Sequence, residues 1–187
     1  LAKGRRPMGS QTRTAINSDW SSNCKLTQSH PTRWLLNSPH WWSIHAIPVT
    51  GRTELVVSRG VNPLSRQVVV TYCEGPRLRI REIPVTDGST DLEALRKVVT
   101  SKTAGVLIQS PNFFGCLEEV AQAAEIAHAA GALLVLSVDP VSLGLLAPPG
   151  GLGADIVVGE GQGLGVPLSY GGPYLGFMAT KTEFIRQ

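Results

Sequence analysis

No apolar run in this 187-residue chain approaches the roughly 20 residues needed to span a bilayer, and residues 1–30 lack the apolar core of a secretory signal. The composition therefore points away from a membrane protein. Cysteine is scarce: Cys24, Cys73 and Cys116 are odd in number and far apart, so they outline neither a disulfide framework nor a zinc knuckle. A reducing, cytoplasmic setting is expected. Charge is also low, at 17% of residues with a net +3, and it is uneven. Six of the seventeen Lys and Arg residues lie before residue 51, against one of the fourteen acids, Asp19. The later part carries no basic stripe of the kind a nucleic-acid surface needs. Arg77, Arg79 and Arg81 alternate as they would on one face of a strand, and a solvated face explains them better than a phosphate contact.

Phosphate-binding fingerprints are missing where they would be most expected. The stretch DIVVGEGQGLGVPLSYGGPYLGF, residues 155–177, holds seven glycines, and glycine-rich turns after buried strands often cradle a phosphate or a cofactor. Yet G-x-G-x-x-G fails in both frames, because its third glycine falls on Leu164 or Val166, and there is no G-K-[ST] of a Walker loop.

What is present divides near residue 51. Trp20, Trp34, Trp41, Trp42, His30, His40 and His45 all precede it, in text with no sustained apolar period. His40 and His45 are five apart with no further ligand at a plausible spacing, so no metal site is assigned. Residues 1–51 read as an atypical, poorly ordered or foreign segment.

From residue 52 the text is regular. TELVVS (53–58), RLRIREIPV (77–85), AGVLIQS (104–110), ALLVLSVD (132–139), ADIVVGE (154–160) and YLGFMAT (174–180) read as strands. NPLSRQVVVTYCEG reads as a helix, with Pro63 in its first turn and Gly75 past its end. TDLEALRKVV opens with a Thr90–Glu93 capping box and sets Leu92, Leu95 and Val99 on one side. CLEEVAQAAEIAHAAG is a third helix, closed by Gly131. KTEFIRQ starts another. Strands alternating with helices predict an α/β fold, with a mostly parallel sheet covered on both faces.

Ligands of such sheets gather beyond the carboxyl ends of the strands, here QSPNFFG, SVDPVSLG and GEGQGLG. Asp139 either caps the turn that follows or holds a protonated ring nitrogen, as in pyridoxal phosphate (PLP) enzymes. Asn112 either forms a turn or donates to a ring substituent. His128 is expected at a helix end, where the dipole favours it. Cys116 is expected at a helix start, but no base lies near it in sequence to make it a nucleophile.

The motifs IQSPNFFGCLEEV and SVDPVSLGLLAPPGGLGADIVVGEGQGLGVPLSYGGPYLGF closely resemble the P-protein, the glycine dehydrogenase (decarboxylating) of the glycine cleavage system. More narrowly they resemble its first subunit, in organisms where the enzyme is split in two. The resemblance runs from about Leu55 to Arg186, and the family subunit is longer at both ends. It implies most of one fold-type-I PLP-dependent transferase large domain in residues 52–187, incomplete at its C-terminus. It also implies a cytoplasmic heterotetramer that decarboxylates glycine and passes the aminomethyl group to the lipoyl arm of the H-protein. In the PLP-carrying sister subunit a His-Lys-Thr run precedes GGGGP, and its lysine forms the Schiff base. Aligning Gly171, Gly172 and Pro173 on that pattern puts Gln162 at the lysine position, and an amide cannot form an aldimine. Lys102 and Lys181 do not fall on the loop.

The resemblance thus makes Asn112, Asp139 and Gln162 a degenerate pseudo-site, with PLP expected on the sister subunit. Glu160, Gln162, Tyr170, Gly171 and Gly172 become interface candidates that buttress the sister's site. Gly163 stands where the family usually has proline. Residues 1–51 do not resemble the family, as a shifted reading frame would explain. Two rival readings remain. A self-sufficient aminotransferase-like PLP enzyme would need a lysine on the loop, and a non-enzymatic α/β interaction module would need no sister subunit. The isolated piece is expected to be inactive and poorly soluble, with apolar faces uncovered.

Overall fold

The computed structural model describes residues 24–27, 51–170 and 174–184. Its strands are β1 (Cys24–Thr27), β2 (Glu54–Ser58), β3 (Arg79–Ile83), β4 (Val85–Thr86), β5 (Ser89–Thr90), β6 (Thr103–Gln109), β7 (Leu133–Val138), β8 (Ile156–Glu160) and β9 (Gly176–Lys181). Its α-helices are α1 (Pro63–Glu74), α2 (Leu92–Val98) and α3 (Val120–Ala129). Seven strands form one sheet in the order β1-β9-β8-β7-β6-β2-β3, and β4 and β5 form a separate antiparallel hairpin. The five strands β3, β2, β6, β7 and β8 run parallel, whereas β9 is antiparallel to β8, and β1 to β9.

The period-two pattern explains how the sheet is covered. Val56, Val106, Leu134 and Val157 point to one face, against Leu95 of α2 and Val120, Ala123 and Ala127 of α3. Leu55, Val57, Leu107 and Val135 point to the other, against Val69 and Cys73 of α1. Strands buried on both sides must be apolar at nearly every position, and burying each such side chain contributes roughly 1.5–3 kcal/mol. Among the described residues no helix is long and apolar enough to cross a membrane.

Helix boundaries depart from expectation at identifiable residues. α1 starts as predicted, with Pro63 in its first turn and Asn62 Oδ1 accepting from Leu64 N at 2.9 Å. At its other end Gly75 stays right-handed (φ −57°), and the left-handed residue is Arg77 (φ 57°). Arg77 therefore lies in the turn before β3, and only Arg79 and Arg81 share the exposed strand face. The expected capping box is not formed. Asp91 caps α2 by accepting from Ala94 N, while Thr90 belongs to β5 and its hydroxyl meets that of Ser58 at 2.6 Å. Leu92, Leu95 and Val99 do pack together on the core side. α3 begins at Val120 rather than Cys116, because residues 112–116 are turned about Asn112. Its far end is closed by Gly131 (φ 68°), with Arg52 donating to Ala130 O and Thr103 O. Where a helix was expected at KTEFIRQ, Thr182–Phe184 forms a 3-10 turn.

Candidate functional site

Parallel strands that alternate with crossovers deliver their loops to one end of the sheet, so the segments after β6, β7 and β8 lie side by side. In the first, Asn112 is buried and fully engaged. Its Oδ1 accepts from Phe114 N and Cys116 N, each at 3.0 Å, and its Nδ2 donates to Gly88 O at 2.7 Å and to Glu118 Oε1 at 2.8 Å. Glu118 Oε2 accepts in turn from Thr90 N. The network ties the hairpin to the β6 loop, and it leaves no polar atom of the Asn112 side chain uncommitted. Cys116 is half-buried within this turn, with its Sγ packed against Gly88.

In the second loop Asp139 is exposed. Its Oδ1 accepts from Val141 N at 2.9 Å, and its carbonyl accepts from Ser142 Oγ at 2.7 Å, which is the turn-capping arrangement. In the third loop Gln162 opens a 3-10 turn, Gln162–Leu164, directly after β8. Glu160, the last residue of β8, has Oε1 accepting from both Gln162 N and Leu175 N. Tyr170 is fully exposed with φ 52°. Gly171 and Gly172 lie outside the described residues, as do His40 and His45. Among the described residues no group of three or more His, Cys, Asp and Glu is placed to hold a metal ion.

The charge of the β6, β7 and β8 loops is one-sided, while Arg59 and Arg66 reach this end from the β2 side, where Glu82 holds both. Between Thr103 and Thr180 the sequence has no lysine and no arginine, only His128 and six carboxylates. Lys102 precedes β6 and Lys181 ends the antiparallel β9, so both sit at the amino end of the parallel strands. There Lys181 Nζ lies 2.5 Å from Oδ1 of the buried Asp155, and His128 Nε2 lies 2.7 Å from its Oδ2. His128 thus serves a buried carboxylate as well as a helix end, a pairing across 27 positions that local patterns do not reveal. In place of cations, the carboxyl-end loops expose Phe113, Phe114, Val141, Leu145, Leu168 and Tyr170. The two phenylalanine rings meet edge to face with centroids 5.8 Å apart. These three loops carry no lysine for an aldimine and no lysine or arginine to meet a phosphate, so they do not by themselves anchor a pyridoxal phosphate.

Residues 45–187 match the family Glycine cleavage system P-protein. "Probable glycine dehydrogenase (decarboxylating) subunit 1" of Desulforamulus reducens is 52% identical over 145 residues, which are 78% of this chain and 32% of that protein. A crystal structure of glycine decarboxylase (P-protein) of the glycine cleavage system, in inhibitor-bound form, superposes with a TM-score of 0.73 at 44% identity, over 79% of this chain and 33% of that one. A Campylobacter jejuni chain crystallised with N'-pyridoxyl-lysine-5'-monophosphate shares the fold, with a TM-score of 0.59 at 15% identity over 76% of this chain and 34% of that one. The chain thus spans about a third of the length of the relatives it matches.

Proposed function

Because the chain belongs to the glycine cleavage system P-protein family, we propose that it is part of the first subunit of a two-subunit glycine decarboxylase and supports the cofactor-bearing subunit rather than holding the cofactor itself. The single observation that carries this reading is the loop after β8. The resemblance aligns Gln162 with the anchoring lysine of the sister subunit, and no Lys or Arg occurs from Thr103 to Thr180. The apolar loops around it suit a protein surface better than a charged small molecule.

In this proposal the assembled heterotetramer decarboxylates glycine and passes the aminomethyl group to the lipoyl arm of the H-protein in the cytoplasm. PLP, bound to the second subunit, supplies an electron sink for the carbanion. The part of this chain is geometric. Asn112 and Asp139 hold their loops in fixed turns, and Gln162, Tyr170 and their neighbours form a wall that keeps water from the second subunit's site. Residues 52–187 are assigned to the PLP-transferase-like domain and residues 1–51 to the atypical segment, although the family match begins earlier than that boundary, at residue 45. The test is co-expression with a PLP-bearing second subunit. Stable co-purification supports the proposal, and absence of any complex at micromolar concentration refutes it.

A further inference from the structure

The chain leaves the sheet at Glu160 and returns to it at Gly176, and three contacts draw those two points together. Glu160 Oε1 accepts from Gln162 N at 3.1 Å on the outgoing side and from Leu175 N at 2.5 Å on the returning side. Gly161 N donates to Leu175 O at 2.7 Å across the same gap. A side chain on either glycine of this neck would be crowded. A Cβ on Gly161 would lie 3.1 Å from Leu175 Cδ2, and one on Gly159 would collide with the Phe177 ring and lie 2.6 Å from Val138 O. Glycine at both positions lets the two strands approach, and Glu160 is the acidic side chain that reaches both of them.

We propose that Glu160 is a positioning residue whose carboxylate clasps the neck of the β8–β9 connection, so that the Gln162 turn is fixed before any partner binds. A carboxylate accepting two backbone N–H groups is stronger than a neutral acceptor and holds both in one geometry. Ordering a surface during folding removes that ordering cost from association. The functional weight of the clasp rests on the reading that this loop faces a second subunit; the clasp itself does not.

The experiment is amide hydrogen exchange on the chain, resolved at Gln162 and Leu175, with amides of β6 and β7 as internal references. Glu160→Ala is expected to speed exchange at both amides by about tenfold, the low end of what a hydrogen bond to a charged group contributes, while β6 and β7 keep their rates. Glu160→Gln keeps an accepting oxygen and is expected to speed them by only about threefold, a partial rescue that a purely packing role would not produce. Unchanged exchange at Gln162 and Leu175 in Glu160→Ala overturns the proposal. If that variant does not fold, Glu160→Gln decides alone, and unchanged rates at both amides overturn the proposal in the same way. Adding a PLP-bearing second subunit separates the two readings. If it leaves the wild-type loop unprotected while Glu160→Ala still exchanges faster, the clasp stands and the interface assignment falls.

Discussion

Asp155 Oδ2 lies 2.7 Å from His128 Nε2, joining the last turn of α3 to the start of β8. The same oxygen accepts from Leu134 N at 2.8 Å, and Oδ1 takes Lys181. One buried carboxylate thus fixes a helix and three strands. Its removal strands a buried amide and takes the acceptor from Lys181 and His128, whereas each of those two side chains can turn to solvent. Asp155→Ala is expected to lower stability in urea by roughly 2–3 kcal/mol. Lys181→Met, on a side chain 40% exposed, is expected to cost about 1 kcal/mol or less. Equal losses for the two variants would show that the carboxylate is not the hub.

Glu82 on edge strand β3 accepts from Arg59 at 2.9 Å and Arg66 at 2.7 Å. Partial burial pulls its carboxyl upward, but the two guanidinium hydrogen bonds and charges outweigh that, so it titrates below the ordinary 4.5. A lowered folded value means that the stabilisation is complete above 4.5 and is lost as pH falls through the folded value. The stability difference between wild type and Glu82→Gln should therefore shrink progressively below pH 4.5. On so exposed a pair the difference near neutrality should not exceed about 1 kcal/mol. A difference independent of pH contradicts the ion-pair account.

Cys73 sits in the α1 face of the core, where burial pushes its thiol up to about 11. Almost none of it is thiolate at pH 8, and the sulfur is covered. Iodoacetamide followed by mass spectrometry is expected to modify half-buried Cys116 in the folded chain and Cys73 only in denaturant. Native modification of Cys73 at a rate like that of Cys116 would mean that α1 does not pack as described.

Two glycines, one in β8 and one in the connection that follows it, should respond in opposite directions. Gly159→Ala places a methyl against the Phe177 ring and Val138 O, and is expected to cost about 3 kcal/mol. At Gly163 a Cβ meets only Val141 Cγ2 at 3.7 Å. Gly163→Pro should therefore raise the thermal midpoint, through about 0.4–1 kcal/mol of lost unfolded-state freedom. A fall in midpoint with Gly163→Pro would contradict the helical turn at Gln162–Leu164.

The elements were legible because strands buried on both faces, such as ALLVLSVD, leave no ambiguity of pattern, and because Asn62–Pro63 and Gly131 mark helix ends chemically. What misled was local chemistry diverted by tertiary partners. Thr90 could have capped α2, but Ser58 and Glu118 hold it in β5. Cys116 could have opened a helix, but Asn112 turns the chain through it. The antiparallel sense of β9 was not legible either, since an apolar strand reads alike in both directions. The candidate site had one unused signal in plain view: the run from Thr103 to Thr180 without a lysine or arginine. The Asp155 cluster had none, because its three members are drawn together only by the sheet.

In the proposed assembly this chain lends shape to a PLP site and carries no anchor of its own. The most direct measurement is the absorbance spectrum of the purified chain after incubation with PLP, followed by borohydride reduction and peptide mapping. No reducible aldimine band and no pyridoxyl-modified lysine are expected on this chain, whereas both are expected on a co-expressed second subunit. A reduced pyridoxyl group mapped specifically to a lysine of this chain would contradict the account and make the chain a PLP enzyme in its own right.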